Sequence, residues 1–232
     1  MYFDWTYLVL VLPAILLATW ASSNVRSTFK KYSAIRSRRG ITGAQAARRV
    51  LDANGLQNVR IERVSGNLTD HYDPKTNVIR LSDSVYDNPS TAAIGVACHE
   101  AGHAVQYAVD YAPVKLRAAI IPATNIGSKL AMPLILLGLL FIHTDWYVLA
   151  YAGIICFSLS TVFQLLTLPT EFNASRRAME AIESSGLLYK DELPAAKKTL
   201  RAAAMTYVAA LAVSAAQLLR LILNIGGIRR RD

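Results

Sequence analysis

The segment STAAIGVACHEAGHAVQYAVDY, residues 90–111, holds two histidines four positions apart with a glutamate beside the first. The rest of it is small and apolar, the composition of a buried helix, where polar groups are costly unless something satisfies them. On an α-helix, positions i and i+4 share one face, about 6 Å apart along the axis. His99 and His103 can therefore offer two imidazole nitrogens to a single metal ion. Glu100 stands one step round, outside the ligand set but placed to take a proton from a water beside the metal. Gly102, inside HEAGH, leaves room for another segment to come close. Hydrolytic zinc takes three protein ligands and a water, so one more ligand must come from elsewhere.

The elements that must deliver it are set by four apolar blocks, at residues 5–21, 121–142, 147–168 and 202–225. The chain is 53% hydrophobic over 232 residues, above the roughly 45–50% of soluble domains, and the excess lies in these blocks. The net charge of +9 comes from basic residues grouped beside them, which is a topology signal and argues against nucleic-acid binding. Asp4 precedes the first block, while Arg26, Lys30, Lys31, Arg36, Arg38 and Arg39 follow it. That asymmetry predicts a retained anchor with its N-terminus outside and its basic end in the cytoplasm. The second and third blocks form a hairpin whose turn, HTDW, contains Asp145 and no basic residue, so it suits the outer side. The fourth is expected to cross, although Arg229, Arg230 and Arg231 after it run against the charge rule; Arg220 within it calls for a protein or interface contact. Cys98 and Cys156 are the two cysteines, and both read as free thiols rather than a disulfide framework.

A soluble-looking module lies between the first two blocks. TGAQAARRVLDANG reads as a helix capped by Thr42, with Gly55 past its end. NVRIERV and NVIRLSD alternate as strands, the second entered through the turn DPKTN, and Ser90 can cap the histidine helix. The strand at 77–83 would also suit pairing with an extended substrate at a sheet edge.

Several residues compete to be the third ligand. His143 falls in the outer turn, a membrane thickness away on this topology. His71, in TDHYDP, is on the right side but in a loop between strands. Glu180 and Glu183 sit at helical spacing from Arg176 and Arg177 and suit solvated ion pairs. Glu171, in LPTEFNASRRAMEAIE, comes directly after the third block returns to the cytoplasm, opening a new helix behind Pro169. It is the expected ligand.

HEAGH, then a hydrophobic hairpin, then EFNASRRA resembles the bacterial membrane-embedded neutral zinc metallopeptidases of the YugP type, related in plan to the heat-shock protease HtpX and the CAAX prenyl proteases. The resemblance spans essentially the whole chain, including the N-terminal anchor and the strand NVIRLSDSVY. It implies one Zn2+ per chain held by His99, His103 and Glu171, with Glu100 catalytic. In the prenyl proteases an aspartate follows the ligand glutamate by four residues; here Ser175 has that place, a departure from that pattern which leaves its role toward a ligand histidine open.

The expected fold is a mainly α membrane protein, transmembrane helices plus a small α/β gluzincin-like zinc protease module. Residues 1–25 would be the anchor, 26–119 the cytoplasmic module, 120–169 the hairpin, 170–201 a helical segment with the third ligand, and 202–232 the last apolar helix and basic end. The expected function is a multi-pass cell-membrane endopeptidase for peptide or protein substrates in membrane protein processing or quality control, its site on the cytoplasmic side. Zinc activates a water and Glu100 serves as general base. His71 is a further catalytic candidate, and with Tyr207, Arg176 and Arg177 is eligible to polarise the substrate carbonyl. The rival reading is a non-hydrolytic membrane scaffold or adaptor stapled by zinc. Such structural sites are usually closed by four ligands, and Cys98 lies about 100° round the helix from His99. A metal transporter would need polar residues along several spans, and Lys129 and Arg220 have the wrong sign for a cation.

Overall fold

The computed structural model describes residues 4–141 and 144–228; His143 and Arg229, Arg230 and Arg231 lie outside the described residues. In chain order the elements are α1 (Leu12–Ser33, entered through a π-helical turn at Tyr7–Val11), α2 (Gly43–Ala53), β1 (Arg60–Val64), β2 (His71–Asp73), β3 (Val78–Ser82), α3 (Thr91–Ala108), α4 (Ala112–Leu140), α5 (Val148–Ser184) and α6 (Leu193–Ile228). The protein is mainly α, and four of its helices are long and apolar enough to cross a membrane. The chain divides into two compact units.

One unit comprises Met1–Trp20, Lys115–Leu168 and Thr206–Asp232. Lipid provides no hydrophobic drive between helices, so close backbone approach at small residues must hold such a bundle. That is how α4 meets α5: a Cβ on Gly127 would stand 2.8 Å from the Cys156 carbonyl oxygen, and one on Gly153 2.7 Å from that of Ala131. Pro122 and Pro133 lie inside α4, where neighbouring helices make such breaks tolerable. The hydroxyls of Thr161 and Ser214 share a hydrogen bond of 2.8 Å between α5 and α6. The Tyr147 hydroxyl also donates to the Ile225 carbonyl, so these two helices run antiparallel. Arg220 finds the contact that its charge demands: its Nε donates to Asp4 Oδ2 at 2.8 Å. Its guanidinium also lies 5.3 Å from the Tyr7 ring centroid.

The other unit comprises Ala21–Val114 and Pro169–Met205. Here the short elements follow local signals. Thr42 caps α2 in a complete capping box with Gln45, and Ser90 caps α3 by accepting from the Ala93 N–H at 3.2 Å. The sheet has the order β1-β3-β2, with β1 parallel and β2 antiparallel to β3. Three sequence expectations change. The strand at 77–83 is not an edge: β3 is the central strand, paired on both sides, and cannot add a substrate strand. His71 is not in a loop but begins β2, opposite Arg80. Finally, Glu171 does not open a new helix, because α5 continues through Pro169 for 37 residues. A proline inside a helix forfeits one hydrogen bond and costs about 3 kcal/mol. Beyond it, Ala174, Ala178 and Ile182 form one fully buried face. Burying an Ile-sized side chain stabilises by about 1.5–3 kcal/mol, so packing of that face offsets the break.

The core of this unit joins Val50 and Leu51 of α2, Ile79 and Leu81 of β3, Ile94, Ala97 and Ala101 of α3, and Ala178 and Ile182 of α5. It fixes α3 against α5, and these two helices carry the site.

Candidate functional site

α3 places His99 and His103 one turn apart, their ring centroids separated by 4.7 Å in an edge-to-face arrangement. Facing them from α5 is Glu171, its side chain only 4% exposed. Glu171 Oε2 lies 3.2 Å from His99 Nε2 and 3.4 Å from His103 Nε2. Gly102 permits the approach: a Cβ there would stand 2.8 Å from the Ala174 carbonyl oxygen, so α5 rests directly on the α3 backbone.

Both rings are held from behind. The Ser175 hydroxyl is 3.1 Å from His99 Nδ1, so the serine in the position discussed above does reach a histidine. Gln106 Oε1 is 2.9 Å from His103 Nδ1. Gln106, fully buried, donates through Nε2 to the Thr170 carbonyl at 2.7 Å and to Asn173 Oδ1 at 3.0 Å. Arg177 Nε donates to Asn173 Oδ1 at 2.8 Å, and Arg176 pairs with Glu180 at 2.7 Å on the exposed side of the helix. Gln106 and Asn173 are the residues that sequence reasoning passed over. A visible signal existed for Gln106, an amide three positions beyond His103 in an otherwise small and apolar helix.

The donor set fits a zinc ion. Zinc bonds of about 2.0–2.1 Å in tetrahedral geometry set ligand atoms roughly 3.3–3.4 Å apart, and the two nitrogen-to-oxygen distances fall at that spacing. The three ligand atoms lie within 4.8 Å of one another, the one such group among the described residues. Burial works against positive charge on His103, yet the hydrogen bond and negative charge of Glu171 hold its pKa above the ordinary histidine value. The pocket thus draws positive charge to the point where the three atoms meet.

Glu100 is buried, 8% exposed, next to His99 in the chain. Its charge also reaches Asp70. Burial pushes the Asp70 carboxyl up, with the Glu100 charge adding to the rise, although Asp70 accepts from the Ser82 N–H at 2.7 Å and from its hydroxyl at 3.0 Å. His71 is exposed, its Nδ1 against the Thr69 carbonyl at 2.8 Å, and does not join the three-residue group. Tyr207 belongs to the other unit. Cys98 is fully buried, and burial pushes its thiol well up, away from the thiolate that binds metal.

The family model described as "Putative neutral zinc metallopeptidase" matches residues 7–226 of the chain. The chain is also 46% identical over 217 residues to "Putative membrane protease YugP" of Bacillus subtilis (strain 168), a match that covers 94% of this chain and 95% of that protein. No solved structure matches it.

Proposed function

This chain belongs to the neutral zinc metallopeptidase family, and from that premise we propose that it is a membrane-embedded endopeptidase holding one zinc ion on His99, His103 and Glu171, with Glu100 as general base. The observation that carries the reading is the meeting of two imidazole Nε2 atoms with one carboxylate oxygen at 3.2 and 3.4 Å. A bound zinc would supply Lewis-acid chemistry, polarising a peptide carbonyl and making a water acidic enough to react at neutral pH.

The chain's own groups do the rest. Glu100 takes a proton from the water as its oxygen attacks the carbonyl carbon. It then passes that proton to the amine nitrogen as the C–N bond breaks, leaving a carboxylic acid and an amine, between which the water's second proton is exchanged. Burial of Glu100 keeps competing water away from it. His71, whose Nδ1–H donates to the Thr69 carbonyl, is proposed to polarise the substrate carbonyl as the imidazolium, the one form in which Nε2 also carries a proton to donate. Replacing it with alanine should lower kcat on the order of 10²-fold, the loss typical of one such donor. A three-ligand group leaves a position for water, where a structural staple is normally closed by four ligands, so the scaffold reading is disfavoured. The basic residues after the first block support placing this site on the cytoplasmic side, with the enzyme acting in membrane protein processing or quality control.

The decisive experiment compares Glu100→Gln and Glu171→Ala with the parent by metal analysis and a casein or peptide cleavage assay. Glu100→Gln should retain about one zinc per chain and lose cleavage, whereas Glu171→Ala should lose the metal. Parent-like cleavage by Glu100→Gln, or by metal-free protein, overturns the proposal.

A further inference from the structure

The hydrogen bonds around Gln106 leave only one orientation for its amide. A backbone carbonyl only accepts, so the Thr170 oxygen at 2.7 Å must face the Gln106 NH2 group. Asn173 Oδ1 is also an acceptor there, because the Arg177 guanidinium, which only donates, lies 2.8 Å from it. The Gln106 NH2 therefore points at α5, and Oε1 is left for His103 Nδ1 at 2.9 Å. An acceptor in that position requires the proton on Nδ1. In the neutral ring Nε2 is then the unprotonated nitrogen, the one able to bind a cation shared with Glu171.

We infer that Gln106 is a positioning residue for the metal: it sets the tautomer and ring plane of His103 and ties α3 to the carbonyl of Thr170, the residue immediately before Glu171. One buried amide thus governs two of the three proposed ligands. The His99 side is not equivalent, because the Ser175 hydroxyl can donate or accept and leaves that ring's tautomer open. The inference rests on the zinc reading above and deepens it.

The test uses the full-length protein in detergent. Gln106→Met keeps the length and bulk of the side chain while removing its hydrogen bonds. Gln106→Glu keeps an acceptor for Nδ1 but offers no donor to Thr170 and Asn173. The readouts are zinc affinity by chelator competition, the visible spectrum of the cobalt-loaded protein, and kcat and KM separately. Gln106→Met should weaken zinc binding about 10–100-fold, the usual cost of losing such a partner. It should also alter the cobalt spectrum and lower kcat with little change in KM. Gln106→Glu should fall between parent and Gln106→Met. Should Gln106→Met fail to fold, Asn173→Ala, at a half-buried position, removes one acceptor and should weaken zinc binding in the same direction. If the folded variants bind zinc like the parent with the same cobalt spectrum, while Glu171→Ala loses the metal, Gln106 positions nothing and the zinc reading stands. A parent protein that takes up no zinc overturns both.

Discussion

At the scale of single residues, each imidazole has a partner behind it as well as the Glu171 carboxylate in front. A histidine ring has two nitrogens, and whichever bond one makes decides what the other can offer. Ser175 touches His99 Nδ1 at 3.1 Å. Ser175→Ala should therefore weaken zinc binding by about tenfold, the low end for loss of an outer partner, and Ser175→Asp should restore it; chelator competition measures both. Away from the site, Asp73 is held by Thr76, the Lys75 N–H and Arg80, and its pKa is lowered from the ordinary value of 3.8 to about 2. A folded-state pKa below the unfolded one means that the stabilisation is present above about pH 4 and is lost as pH falls toward about 2. Thermal unfolding of the parent and of Asp73→Asn should accordingly differ at pH 6 and converge near pH 2. A gap that stays constant across that range would rule this linkage out.

At the scale of elements, the α3–α5 contact decides whether the ligands can meet. Gly102 is a point of close approach, since a Cβ there would fall 2.8 Å from the Ala174 carbonyl oxygen. Backbone cannot swing aside like a side chain, so Gly102→Ala must push the helices apart. Overpacking of this kind costs typically about 1–3 kcal/mol, and here it also widens the gap between Glu171 and the histidines. The expected outcome is a lower melting temperature together with weaker zinc binding, measured by thermal unfolding and by metal titration. Unchanged zinc affinity in a destabilised variant would show that ligand spacing does not depend on this contact. The two caps, the capping box at Thr42 and the helix behind Ser90, were legible because each is written in neighbouring residues. β2 was missed because three residues have no period to read, and its strand character comes from pairing with β3. The helix break expected at Pro169 failed for a related reason: local chemistry opposes continuation there, and burial of Ala174, Ala178 and Ile182 overrides it.

At the scale of the whole molecule, four apolar helices make this a membrane protein of the neutral zinc metallopeptidase family. Within the bundle unit, Asp4 meets Arg220 and Tyr147 meets Ile225. The start of the chain, the start of α5 and the last part of α6 therefore lie at one end of that unit. A reporter fused at the C-terminus should then appear on the same side of the membrane as one fused at the N-terminus, despite the terminal arginines. The side chains of Asp4 and Arg220 are 32% and 23% exposed. A double-mutant cycle with Asp4→Asn and Arg220→Gln, read by thermal unfolding, should show non-additive losses, the double variant losing less than the sum of the two single variants. Additive losses would mean that the pair does not hold the helices together.

Sequence by itself determined the apolar blocks, the helix caps and the HEAGH face. It pointed as well to Glu171 as the partner of that face, through the count of membrane crossings between them. These are properties of period, charge and short spacing, which the chain carries locally. Only the tertiary structure decided that Ser175 and Gln106 stand behind the two rings, that β3 is central and that α5 runs unbroken past Pro169. Those outcomes depend on distances between residues as far as 64 and 76 positions apart, which are set by how helices and strands share one buried core.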